Sequence, residues 1–278
     1  MKNIVIYHEV KRNVACPDGF AAAWVANKYL SNAILIGCVY GDLIPDSIED
    51  GDNVTIVDFS FSKQQLESLL ERNCKILVLD HHKTAWDNLK DLSKQINAQF
   101  DMEQCGATMA WNHFFPIDPM PVFLEYIRDR DLWLHQLSHT HEIHAALSSI
   151  GQSFALYDMI APLDKADLQA VFGNFGKKII IDKEEKIKKI VQRVERILIS
   201  DIFFVPAIIL SADEDALTSD ICAYMYTTIY PSEPFVCCIN SNGAYSLRSN
   251  RDGSNFDVGS LAKQLGGGGH RNAAGFKI

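Results

Sequence analysis

Three runs of aliphatic and β-branched residues recur early in the chain: Ile4-Val5-Ile6-Tyr7, Val54-Thr55-Ile56-Val57 and Ile76-Leu77-Val78-Leu79. Short runs with so little polar alternation read as strands buried on both faces. A further strand is predicted over 33–39, and helical patterns fall between strands, from Gly19 to Leu30 and over 62–72. Strand and helix signals that alternate in this way predict a parallel sheet covered by helices. From about residue 120 the pattern becomes helical, first over Pro121 to Ile127. Later, between Asp182 and Ile199, Ile187, Ile190, Val191, Val194, Ile197 and Leu198 recur at helical spacing beneath a Lys/Glu/Arg face. Such a segment reads as a solvated helix joining two lobes. Strand signals return at Phe203 to Leu210, Phe235 to Ile239 and Ala244 to Arg248. The expected organisation is an N-terminal α/β domain over 1–180, a linker helix over 181–199 and a smaller C-terminal α/β domain over 200–278, with an active-site cleft between the domains.

Each of the three early runs gives way to a residue type that binds metal: His8, Asp58 and Asp80-His81-His82 respectively. In open parallel sheets ligands bind beyond the carboxyl ends of the strands, so acids and imidazoles placed there are candidates for chemistry. A single Asp after a strand is commonly a turn or helix cap. Three strand ends carrying ligand residue types argue for a site.

Composition narrows the class. A chain of 278 residues with 47% hydrophobic and 22% charged residues is that of a globular protein with one large or two smaller cores. No stretch has the length of a membrane span, and Met1-Lys2-Asn3 runs into a strand without a signal-peptide pattern, so a cytoplasmic protein is expected. Seven cysteines without a Cys-x-x-Cys pair argue against a disulfide framework and against a zinc finger. A net charge of −9 disfavours a protein that coats long duplex nucleic acid, yet allows a short anionic substrate. The segment from Arg248 to Ile278 is locally basic, with five Lys/Arg against two Asp.

Five ordered segments carry a resemblance: Cys16-Pro17-Asp18-Gly19-Phe20, Val57-Asp58-Phe59-Ser60, Asp80-His81-His82-Lys83-Thr84, Asp129-Arg130-Asp131-Leu132-Trp133 and Gly266-Gly267-Gly268-Gly269-His270. Together they make the chain resemble the DHH phosphoesterase superfamily with its associated C-terminal domain, and within it the exopolyphosphatase-related branch. The resemblance implies a hydrolase that holds two manganese or magnesium ions. Two such ions can activate a water and neutralise the phosphoryl oxygens together, and hard oxygen ligands with a minority of imidazoles suit them better than zinc.

Carried onto this sequence, Asp58 would bridge the ions, Asp80 would hold the first and His81 the second, and Asp18 would be the acid after the first strand. His8 or Cys16 would complete the first ion's shell, and one of Asp129 and Asp131 would serve the second. Cys16 stands where the family's usual pattern has an aspartate, as a softer ligand or as a packing residue beside the site, and Glu9 to Ala15 lengthens the interval between His8 and Asp18 as an insertion would. His82, Arg248, Gly267, Gly268, Gly269, His270 and Arg271 would bind substrate phosphate, the glycines as an anion-binding nest and Arg248 through its guanidinium fork. Trp133 reads as a packing residue ahead of a base-stacking one. His135, His139, His141 and His144 lack zincin spacing and read as surface or helix-start residues. The preferred substrate is the 3′ end of a short oligonucleotide or nucleotide. Polyphosphate is the alternative, and a nucleotide-binding regulatory protein that has lost efficient catalysis is a third reading. The sequence leaves oligomeric state open.

Overall fold

The first aliphatic run is paired along its length on both sides. The computed structural model describes residues 1–92, 95–251 and 253–277; Asp252 and Ile278, which belong to the basic C-terminal segment, lie outside the described residues. The chain divides into two units, Met1–Ile180 and Ile181–Ile278.

In the first unit β1 (Asn3–Lys11) leads through β2 (Val14–Ala15) to α1 (Pro17–Leu30) and β3 (Ile34–Cys38). Then come β4 (Asn53–Val57), α2 (Lys63–Glu71), β5 (Lys75–Asp80), α3 (Lys83–Leu89) and β6 (Asn97–Phe100). β1 pairs in parallel with β3 on one side and β4 on the other, and β5 and β6 extend the parallel sheet beyond β4. The chain therefore turns one way from β1 to β3 and the other way from β4 onward. The reversal lies between β1 and β4, the crevice where open α/β sheets bind ligands.

Side-chain alternation divides the core into two layers. Val5, Val57 and Leu79 point into the layer with α1 and α4 (Gly106–Phe114), and Ile4, Ile6, Ile56 and Val78 into the layer with Leu66, Leu69 and Leu89 of α2 and α3. Pro17 sits in the first turn of α1, where its missing N–H costs nothing. Ala21 to Ala26 are all buried, Trp24 included, so α1 is an interior helix and not an amphipathic surface one. α5 (Val122–Asp131), α6 (Thr140–Ile150), α7 (Phe154–Ile160) and α8 (Lys165–Leu168) follow, and α9 (Asn174–Ile190) crosses the unit boundary.

The second unit carries the sheet β11-β12-β10-β9-β8-β7, with β7 (Glu195–Ile199), β8 (Phe203–Ile209), β9 (Val236–Ile239), β10 (Ala244–Arg248), β11 (Gly268–His270) and β12 (Ala273–Lys277). α10 (Thr218–Tyr224) packs against one face and α11 (Val258–Gln264) against the other. The linker helix expected over 181–199 ends at Ile190: a single tight turn covers Val191–Arg193, and 195–199 is a strand paired antiparallel with β8. Helical spacing across Ile197 and Leu198 was overridden by that pairing, because intrinsic propensity is a weak prior against tertiary context. Among the described residues no helix is long and apolar enough to cross a membrane.

Candidate metal centre

The centre is assembled at the carboxyl edge of the first sheet. β1 continues past His8 and folds back through β2, so that Cys16 N–H donates to the His8 carbonyl at 3.1 Å. The apparent insertion Glu9 to Ala15 is thus a hairpin that returns Cys16 to the side of His8. Gly19 allows α1 to start there: a Cβ at this position would lie 2.8 Å from the His8 carbonyl oxygen. Asp58 leaves β4 with φ +54, a left-handed conformation that Asp and Asn tolerate better than most residues. Asp18 is held from outside its own helix, accepting from Gly106 N at 2.6 Å and Ala107 N at 2.8 Å at the first turn of α4.

His81 Nε2 lies 3.1 Å from Asp58 Oδ1, 3.6 Å from Asp131 Oδ2 and 3.7 Å from Asp18 Oδ2. On the other side of Asp58, His8 Nδ1 faces Asp58 Oδ2 at 3.5 Å, and Cys16 Sγ joins them in a second group of donors lying within 4.8 Å of one another. Asp58 belongs both to this group and to one with His81 and His82, while Asp18, His81 and Asp131 form a third that shares His81. Asp131 and not Asp129 enters the cluster. Asp129 is buried, and its carboxylate accepts from Gln136 N, Leu137 N and the Thr140 hydroxyl. Those bonds hold the loop between α5 and α6, where Trp133, His135 and His139 all have positive φ. Burial works to raise the Asp129 pKa, but these donors hold it below the usual carboxylate value.

Asp80, expected as a ligand of the first ion, stands outside all three donor groups. Its Oδ2 accepts from Ser60 Oγ at 2.6 Å, and its Oδ1 lies 2.7 Å from His82 Nδ1 and accepts from His82 N. A fully buried carboxylate so engaged orients an imidazole and fixes its tautomer. His82 Nδ1 is thereby committed, and Nε2 is the nitrogen left to point elsewhere.

The charge balance calls for a cation. Asp18, Asp58 and Asp131 converge on one imidazole, and Asp18 and Asp58 are each about 1% exposed. Burial and the neighbouring carboxylates push Asp18 up, and burial does the same at Asp131. At Asp58 burial also acts upward but is outweighed by His8 and His81, which hold its carboxyl low. Burial opposes the charge on His81, yet the bond to Asp58 and the charges of Asp18 and Asp131 push it up to about 9. Among the described residues, the buried polar side-chain atoms without a hydrogen-bond partner are His8 Nδ1 and Asp58 Oδ2, which face each other within one donor group. Orphaned buried polar atoms are rare and point to an ion or ligand. The donor set of carboxylates, imidazoles and one thiol fits divalent metal.

A proton on His81 occupies the place a cation would take. Its folded pKa lies above the ordinary 6.5, so protonated His81 stabilises the ion-free fold fully below about 6.5, and that contribution is lost as pH rises through about 9. A divalent ion must displace this proton. The rise in melting temperature on adding such an ion is therefore expected to grow between pH 6.5 and 9, as read by thermal denaturation with and without ion; a shift independent of pH would contradict protonated His81 as the competitor.

The expected phosphate-binding residues of the second unit have local roles. Gly266, at φ +82, terminates α11. A Cβ on Gly267 would run into the Gly275 carbonyl, and one on Gly269 would meet Ala274 at 2.5 Å. Glycine is thus required by strand packing at these positions, and the anion nest is not needed to explain them; only Gly268 has no steric reason. His270 closes the exposed strand β11. Arg271 is committed to Asn255 and Asp257, and Arg248 donates to the Leu247 carbonyl.

Sequence reasoning missed Gly106, Ala107 and Ser60 as supports of the centre, and it misread Trp133. The indole is 69% exposed, with the Arg130 guanidinium 4.3 Å over its ring. Pro17, Asp18, Ile127, Arg130, Asp131, Trp133 and His144 line a groove of about 270 Å³ that begins at the centre's carboxylates. The histidines set aside earlier form no donor group among the described residues; His135 stacks on His141 with centroids 4.5 Å apart.

No family model matches the sequence. An uncharacterized protein of Acanthamoeba polyphaga mimivirus is 29% identical over 98% of the chain, which spans 66% of that protein's length. Among solved structures, the DHH domain of a member of a family of ribosomal proteins matches at a TM-score of 0.55 and 12% identity, over 99% of this chain and 82% of that one. The pGpG-specific phosphodiesterase PggH of Vibrio cholerae matches at 0.53 and 16% identity, over 100% and 93%. The chain therefore shares the fold of these DHH-domain structures.

Proposed function

We propose that the chain is a metal-dependent phosphoesterase that hydrolyses a phosphoester or phosphoanhydride at the end of a short nucleotide or oligonucleotide. The observation that carries this reading is the shared carboxylate: Asp58 stands in two donor groups at once, with its Oδ2 and His8 Nδ1 buried and unpartnered. Divalent ions bound there, with manganese or magnesium at the carboxylate-rich side, would neutralise phosphoryl charge and make a water nucleophilic. Asp18, Asp58, His81 and Asp131 would hold one ion, and His8, Cys16 and Asp58 the other. His82, braced by Asp80 and Ser60, would donate from Nε2 to a substrate phosphate oxygen. Its pKa supports that role: burial lowers it, but the bond to Asp80 outweighs this and raises it.

The groove supports a nucleotide over polyphosphate. An exposed tryptophan steadied by Arg130 offers a face for a base, and stacking of one base contributes about 1–3 kcal/mol. A polyphosphate chain has no such face. The fold also serves a pGpG-specific phosphodiesterase, which is in keeping with a dinucleotide-sized substrate.

The test is release of mononucleotide or phosphate from short RNA, short DNA, phosphoadenosine phosphate, cyclic dinucleotides and polyphosphate, with manganese and with chelator. Chelator-sensitive turnover of a nucleotide is expected, and absence of turnover on every substrate would refute the enzyme. Trp133→Ala should raise KM for the nucleotide roughly 5- to 100-fold with little change in kcat, and leave any hydrolysis of polyphosphate unaltered. An unchanged KM would remove the indole from the substrate site.

A further inference from the structure

The two sides of the centre differ in chemical character. On one side, Asp18, Asp58 and Asp131 converge on a single imidazole, His81. On the other are an imidazole, a thiol and one carboxylate oxygen: His8 Nδ1, Cys16 Sγ and Asp58. We propose, resting on the reading of this site as a binuclear metal centre, that the His8–Cys16–Asp58 group takes a thiophilic divalent ion of the zinc class, with Cys16 as thiolate ligand, while the carboxylate-rich group takes a hard ion.

Three observations support a built ligand set and not a cysteine that happens to lie nearby. The β1–β2 hairpin returns the chain so that Cys16 N–H bonds the His8 carbonyl, which fixes thiol and imidazole side by side. Gly19 lets α1 begin against His8 with no room for a side chain. His8 Nδ1 and Asp58 Oδ2 are buried without partners, 3.5 Å apart. Two ligand atoms on a tetrahedral ion with bonds of roughly 2.0–2.2 Å lie about 3.3–3.6 Å apart, so this pair already has the required spacing. Three protein ligands with a fourth position open is the arrangement of catalytic zinc, and soft thiolate selects zinc-class ions over manganese or magnesium. On binding, the Cys16 S–H bond is replaced by a sulfur–metal bond and the proton passes to solvent.

Cobalt(II) reports the bond directly, because a thiolate ligand gives a near-ultraviolet sulfur-to-metal charge-transfer band that carboxylate and imidazole do not. Metal-free full-length protein should be titrated with cobalt(II), with bound metal counted in parallel. The expected result is a charge-transfer band in the wild-type protein that is lost in both Cys16→Ser and Cys16→Asp, with Cys16→Asp still binding cobalt. Cys16→Asp should also gain manganese, rising from one ion per chain to two. Cobalt bound without the band, or a band that survives both substitutions, overturns the proposal while the metal centre stands. Failure of the wild-type chain to bind cobalt overturns both. Because the readout is absorbance and metal content, loss of phosphoesterase activity for other reasons cannot mimic either result.

Discussion

Asp58→Asn should fall by more than roughly 10³-fold in kcat/KM, beyond the 10²–10³-fold cost of removing a single electrostatic donor from an active site, and should lose its bound metal while remaining folded. Asparagine keeps the size of the side chain and tolerates the left-handed backbone at φ +54. It removes the one charge common to both donor groups, so both ions are weakened by one change. Asp58→Ala removes the same charge but leaves an alanine in a left-handed conformation, at a further cost of about 1–2 kcal/mol. Comparing the two separates chemistry from backbone strain: equal metal content with different melting temperatures is expected. Turnover of Asp58→Asn within tenfold of wild type would show that this carboxylate is not shared between ions.

Gly106→Ala is expected to be nearly as severe although the residue offers no ligand. Its Cβ would fall 2.6 Å from Asp58 Cβ and 3.0 Å from Asp18 Oδ2, so the start of α4 must retreat. The same turn supplies the two amides that hold Asp18. Displacing it moves a carboxylate out of line with His81, and a misplacement of about 1 Å can cost roughly 10²-fold in rate. Overpacking should add about 1–3 kcal/mol of destabilisation. Metal titration and denaturant melts on the variant check both parts; wild-type affinity and stability would mean that α4 yields freely there.

How far the sequence could be read follows from which features are local. The strands and the residues just beyond them were legible because unalternated aliphatic runs and their ends are matters of a few neighbouring positions. The choice between Asp129 and Asp131 was not, since both leave the same helix end and only the loop that follows shows which carboxylate is consumed by Gln136, Leu137 and Thr140. The partners of Asp80 were hidden for a similar reason: Ser60 lies on the loop after another strand, and nothing in Asp80-His81-His82 says that the acid is bonded to the third residue. Gly106 was invisible because a glycine opening a helix has many ordinary explanations, and its tight approach to Asp58 is a tertiary fact. The hairpin at 9–15 looked like an insertion because a turn with Asn13 at positive φ carries only a weak signal. The glycine run also has reasons the sequence does not show, since close contacts with β12 account for two of its members and helix termination for a third.

The donors of the centre run from His8 to Asp131 and come from β1, α1, β4, β5 and α5 or the turns beside them. No short stretch of chain can chelate an ion by itself, unlike a zinc finger whose ligands lie within one small segment. An ion consequently has little to hold until β1 and β4 are paired and α5 has docked. Metal bound here would therefore act as a seal on a finished sheet and not as a template for it.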